Sequence, residues 1–152
     1  MQDVHEINIL KDQSTWKLFF LGVITYGVYF AYYAKKQTIR LNELLSEEDK
    51  ISIFFLNFLI ALAYITLFLF ITYFFVDEGS PLDTVGVYLD YGWSILMLVW
   101  GFMAKNRVNQ IFGFRKSDSR FLKGIWIFLF STMYFNYKIN KICDQLDETL
   151  LA

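Results

Sequence analysis

The stretch ISIFFLNFLIALAYITLFLFITYFFV, residues 51–76, decides the fold, because its 26 residues carry no charge and are dominated by Phe, Leu and Ile. As a helix it would be about 39 Å long, enough to cross a bilayer core with tilt. Residues 85–104 make a second apolar run, about 30 Å long as a helix, with Asp90 near its start and Lys105 and Arg107 just beyond its end. Residues 77–84 between them hold Gly79, Ser80 and the only proline, Pro81, and read as a tight polar turn facing outward. The expectation is an antiparallel transmembrane hairpin.

The rest of the 152-residue chain fits one membrane domain. Hydrophobic residues make up 56%, aromatic residues 20% and charged residues only 19%, which excludes disorder and an ordinary soluble domain. Residues 1–15 are polar, and Asp3, Glu6 and Asp12 against Lys11 are the wrong charge for a cleavable signal peptide. Two shorter apolar stretches flank the hairpin. Residues 18–34 are interrupted by Thr25-Tyr26-Gly27, and residues 124–135 give only about 18 Å of helix, with Ser131-Thr132 near the middle. Runs this short are more often re-entrant or interfacial than spanning.

The two short stretches are related. A shift of 105 lays residues 29–45 on 134–150 with seven identities in 17 positions: Tyr29/Tyr134, Phe30/Phe135, Tyr32/Tyr137, Lys36/Lys141, Leu41/Leu146, Glu43/Glu148 and Leu45/Leu150. In the second copy Phe135, Ile139, Ile142, Leu146 and Leu150 recur at helical spacing, and in the first Phe30, Ala34, Leu41 and Leu45 do so, with Gln37 and Thr38 weakening the centre. Residues 16–45 and 121–150 thus read as two units, each a short hydrophobic helix, a break at Thr25 and Gly27 or at Ser131 and Thr132, and an amphipathic helix lying along the membrane surface. The fold class expected is an all-α integral membrane protein with up to four membrane-embedded segments.

The stretch Thr25-Tyr26-Gly27-Val28-Tyr29-Phe30-Ala31-Tyr32-Tyr33-Ala34-Lys35-Lys36 resembles the signature of small bacterial membrane proteins known as the domain of unknown function 4234 family, through Thr25, Gly27, Tyr29, Tyr32 and the closing lysine. Tyr26, Val28, Phe30 and Tyr33 depart from that signature. Residues 137–141 are similar to the family's closing Asn-containing segment. The resemblance implies a bacterial inner-membrane location and no assigned activity.

Charge places the rest. The 14 Lys and Arg residues are absent from 77–84, and six of them, Lys105, Arg107, Arg115, Lys116, Arg120 and Lys123, crowd the basic loop beginning at residue 105. Four spans would put 10 of the 14 inside and 4 outside, whereas two re-entrant units put all 14 and both termini on the cytoplasmic side. The basic set reads first as a topology signal and second as a contact for anionic lipid headgroups. Asp90 is the one ionisable residue inside the long runs, and Asn57 is its expected polar companion. His5 and Cys143 have no activating neighbours or metal-ligand spacing, so neither catalysis, a metal nor a cofactor is expected, and no nucleic-acid module is present. Cys143 shares the apolar side of its helix and is expected to face lipid. These features point to a non-enzymatic accessory or scaffold that meets the bilayer, a membrane-protein partner or a second copy. The alternative is a subunit of an oligomeric channel or transporter built around Asp90 and Asn57.

Overall fold

Three serines set where helices begin. Ser14 accepts the Lys17 N–H ahead of α1 (Thr15–Ile24), Ser52 accepts the Phe55 N–H ahead of α3 (Ile53–Tyr73), and Ser80 accepts the Asp83 N–H ahead of α4 (Pro81–Ile111). Each satisfies a donor that a helix start leaves unpaired, and Pro81 in the first turn has no N–H to lose. The computed structural model describes residues 4–75 and 80–151, which also form α2 (Val28–Glu43), α5 (Gly124–Leu151) and short 3-10 helices at Val4–Leu10 and Glu47–Asp49. No strand occurs among the described residues. Asp77, Glu78 and Gly79 of the expected turn lie outside them.

Two helices, α3 and α4, are long and apolar enough to cross a membrane. The second is longer than residues 85–104 and carries Lys105 and Arg107 within it, so the segment expected as a basic loop from residue 105 starts as helix. Charge does not stop a helix. Gly113 does so here, at φ 64°, letting the Phe114 N–H return to the Asn109 carbonyl.

Both flanking units fold back on themselves. In the first, α1 ends at Thr25, Tyr26 and Gly27 take φ of 49° and 87°, and the Gly27 N–H returns to the Gly22 carbonyl at 2.7 Å. The Thr25 hydroxyl donates to the Leu21 carbonyl and accepts the Tyr29 N–H, closing one helix and opening the next. A Cβ on Gly22 would lie 2.1 Å from the Phe30 ring, so α2 can cross α1 there only because glycine leaves the space. Further down, Tyr26 stacks on Phe70, Tyr32 meets Tyr64 and Asn42 meets Ile51, so α2 runs antiparallel to α3 along most of its length.

The second unit bends at Ser131, φ 40° and ψ −119°, which is residue 26 shifted by 105. Both copies therefore hold a non-glycine residue in the left-handed half of backbone space at the same place, at a cost of about 1–2 kcal/mol each. The Ser131 hydroxyl donates to the Met97 carbonyl of α4. Below the bend Trp126 approaches Tyr134, and Lys138 reaches the Ser119 carbonyl, so this unit also returns to the end of the molecule where it began.

The amphipathic faces do not meet lipid headgroups as expected. Phe135, Ile139, Ile142 and Cys143 are fully buried in the protein's own core, as are Ala34 and Leu41 of α2. Part of what covers the C-terminal helix is the N-terminal segment, expected as a polar tail, whose Ile7 and Leu10 are buried in the same core. Gln37 and Thr38, the polar residues at the centre of the first face, are buried too: Gln37 donates to Asp12, and Thr38 accepts the indole N–H of Trp100 at 2.9 Å. Leu150 belongs to the part of α5 whose side chains lie outside the described residues.

Two asparagines hold the connections. Asn42 exchanges two hydrogen bonds with the backbone of Ile51, and Asn109 exchanges two with Leu122, at 2.8–3.0 Å throughout. Each clamps the buried residue that leads into the next helix, where an unpaired peptide group would cost about 1–3 kcal/mol.

Gly27→Ala should destabilise the chain by about 2 kcal/mol or more, since alanine disfavours φ 87° and its Cβ would lie 2.6 Å from the Trp93 ring. Thermal unfolding in detergent reads the effect. An unchanged midpoint would mean that the bend does not depend on this glycine.

Candidate functional site

The tip of the first unit carries Tyr26 to Asp90, where its hydroxyl donates to the carboxylate at 2.8 Å and its ring stacks on Phe70 at 4.2 Å. The pair lies at a cleft of about 220 Å³ that Thr66, Gly86 and Asp83 also line. Asn57 is not part of it. Leu69 Cβ lies 3.7 Å from where a Cβ on Gly86 would be, a pairing that puts Asn57 level with residue 98, about 12 Å along α4 from Asp90, and Asn57 itself is exposed. The companion expected for Asp90 is thus replaced by one from the bend of the first unit, a contact no local spacing could reveal.

The basic set divides. Arg107 pairs with Asp49 at 2.6 Å, Arg120 grips Asp118 and lies over the Phe114 ring, and Lys105 lies over the Phe102 ring. Arg115, Lys116 and Lys123 are exposed. Lys116 and Lys123 share a polar cavity of about 330 Å³ with Lys138 and Lys141 from the C-terminal helix. The structure therefore keeps two of the six expected basic residues together and joins to them two lysines 15 or more residues further along the chain.

A second polar network ties the N-terminal segment down. The Asp12 carboxylate accepts from Lys36 at 2.9 Å and Gln37 at 3.1 Å, with Arg40 at 3.6 Å. Burial would raise its pKa, but hydrogen bonds from Lys36 and the Gln13 N–H, with the charges of Lys36 and Arg40, hold it below the usual carboxylate range. Asn136 and Asn140 donate to the Gln13 carbonyl from the other side, and Asn136 accepts the Tyr33 hydroxyl. Lys11 reaches Asp144 and Asp147, both at 2.9 Å.

Cys143, expected to face lipid, is buried and donates to the Ile7 carbonyl, and burial pushes its thiol up to about 11, away from the thiolate that reacts or binds metals. The His5 side chain lies outside the described residues, and among those described no three His, Cys, Asp or Glu side chains gather as metal ligands. Neither a family model, a curated protein nor a solved structure matches the chain. The likeness to the domain of unknown function 4234 family accordingly rests on residues 25–36 and 137–141 alone.

Asp12→Asn tests the network through its pH dependence. A carboxylate held below its unfolded pKa adds stability that is complete above about pH 4 and disappears as pH falls through the lower, folded value. The variant should be about 1 kcal/mol less stable at neutral pH, a figure reduced for solvent screening, and should match the parent in strong acid. Unfolding curves that differ equally at both pH values would assign the loss to something other than the charge.

Proposed function

We propose that the chain is a non-enzymatic integral membrane protein of a bacterial inner membrane. In this reading α3 and α4 cross, the two bent units dip in from the cytoplasmic side, and the whole acts as a scaffold that meets lipid and a membrane partner or a second copy. The observation that carries it is the segregation of the surface. Phe54, Phe58, Phe68, Tyr88, Ile95 and Phe128 stand exposed on α3, α4 and the rising arm of α5, an apolar surface that water would oppose. The charge pairs gather at the end of the molecule where both bent units return. Lys11 meets Asp147 there, Asp12 meets Lys36, and Arg107 meets Asp49.

Both bent units begin and finish at that end, which agrees with the arrangement in which all Lys and Arg lie on one side. Buried irregular backbone at membrane depth is tolerated where protein satisfies it, as the Thr25 hydroxyl does here for Leu21 and Tyr29. The channel alternative loses the Asp90–Asn57 pair on which it rested. What favours it still is the acidic cleft at Tyr26 and Asp90.

Two measurements test the reading. In a Cys143→Ser chain, single cysteines at Asn8, Ser80 and Glu148 should behave differently toward a membrane-impermeant thiol reagent: Ser80→Cys reacts in intact cells, the other two only once the membrane is opened. External reaction at Asn8→Cys or Glu148→Cys would mean full crossings in place of re-entrant units. Asp90→Leu should leave the chain in the membrane and lower its stability by about 1–3 kcal/mol, because Tyr26 loses its acceptor. An ion flux in proteoliposomes that the parent supports and Asp90→Leu abolishes would favour the pore instead.

A further inference from the structure

The lysine-lined cavity under the second unit does not stand alone. Trp126, Tyr134 and Tyr137 form part of its wall and are also the floor of an adjoining apolar groove of about 400 Å³, which Phe130 and Met133 complete. A cationic cup therefore adjoins an apolar groove across a shared Trp and Tyr wall of the kind that sits at the headgroup level of membranes.

The cations of the cup are not compensated within the chain. None of Lys116, Lys123, Lys138 and Lys141 has an ion-pair partner among the described residues, and the one acid in the wall, Asp118, is bound through both oxygens to Arg120. Burial, together with the charges of Lys141 and Lys123, pulls the Lys138 ammonium below the usual lysine range against the opposing charge of Asp118. The first unit makes the contrast. At the positions 105 earlier, Lys11 ahead of that unit and Lys36 within it are both paired, with Asp144 and Asp147 and with Asp12. Lys116 and Lys141 thus lack the carboxylates that hold their counterparts, and both line the cup beside the groove.

We infer that the second unit binds one anionic glycerophospholipid, its phosphate among Lys116, Lys123, Lys138 and Lys141 and an acyl chain along the groove that Trp126 and Phe130 line. The two parts match the two parts of such a molecule. The exposed hydroxyl-bearing residues Ser117 and Ser119 on the rim suit a headgroup that can hydrogen-bond. The cytoplasmic arm of the chain is thereby tied to the leaflet at a defined lipid, which rests on the membrane reading above.

The test uses the full chain purified in mild detergent and mixed with equal phosphatidylglycerol and phosphatidylcholine, with retained lipid measured by native mass spectrometry. One phosphatidylglycerol should be retained in clear preference to phosphatidylcholine. Lys138→Gln with Lys141→Gln should weaken retention about 30-fold, from roughly fivefold per juxtamembrane lysine. Lys138→Arg with Lys141→Arg should restore it, and Lys17→Gln with Lys35→Gln, which removes the same charge elsewhere, should leave it unchanged. Met133→Trp, which fills the groove and leaves the cup intact, should also reduce it, and circular dichroism confirms that each variant is folded. Equal retention of the two lipids, indifference to the cup lysines, or displacement by an excess of inorganic phosphate as effective as by phosphatidylglycerol would overturn the site. A chain released from native membranes by alkaline carbonate would instead remove the membrane reading itself, so the two failures can be told apart.

Discussion

The structure depends on Trp100. Its indole is fully buried near the middle of α4, donates to Thr38 of the first unit, lies edge-on to Tyr33 at 6.4 Å and packs against Phe135 of the second unit at 5.5 Å. In a membrane the hydrophobic effect between helices would offer little, because lipid tails are as apolar as leucine, and close packing and satisfied polar contacts would have to hold the bundle. Trp100 supplies both at one point, and it is the place where the hairpin touches both copies of the repeat. The neighbouring bond from Tyr33 to Asn136 then joins the copies directly, and Asn136 passes the connection on to Gln13 and Thr15. The N-terminal segment, both bent units and α4 thus share one chain of contacts.

That arrangement explains why strain at two bends is tolerated. A straight helix through residues 15–43 would carry Tyr33 and Thr38 far from Trp100. Reversal at Tyr26 and Gly27 brings α2 down beside α3, and reversal at Ser131 brings Phe135 and Asn136 to the same level. The cost of about 1–2 kcal/mol at each positive φ is set against several buried hydrogen bonds worth about 0.5–1.5 kcal/mol apiece. Were the bends relaxed, the polar side chains of the seam would lose their partners together.

The hairpin was legible because a charge-free run of 26 residues admits few alternatives. The bends were legible as well, from a glycine beside a threonine in one apolar run and paired hydroxyls in the other. What the periodicity could not say was what the amphipathic faces touch. An apolar stripe looks the same whether it meets lipid or protein, and the only hint lay in Gln37 and Thr38, polar residues on a face that headgroups would have left uniformly greasy. The clamps of Asn42 and Asn109 join residues 9 and 13 apart across loops, a separation with no pattern to read. Nor does a basic cluster announce which of its members are already paired, since the acids that take Arg107 and Arg120, Asp49 and Asp118, sit in connections between the long helices whose folding decides the matter.

The two copies differ in the same physical terms. Thr38 and Cys143 occupy equivalent positions, yet the hydroxyl accepts from Trp100 while the thiol donates to the Ile7 carbonyl. Phe30 and Phe135 are equivalent too, but the first fills the space over Gly22 and the second packs on Trp100. Lys36 and Lys141 complete the divergence, one held by a half-buried carboxylate and the other left facing an open cavity. At this position the first copy has turned its lysine toward a partner that fixes the fold, and the second leaves its lysine outward. Structural duty and exposure are exclusive for a single side chain, and having two copies of the unit lets one chain meet both demands.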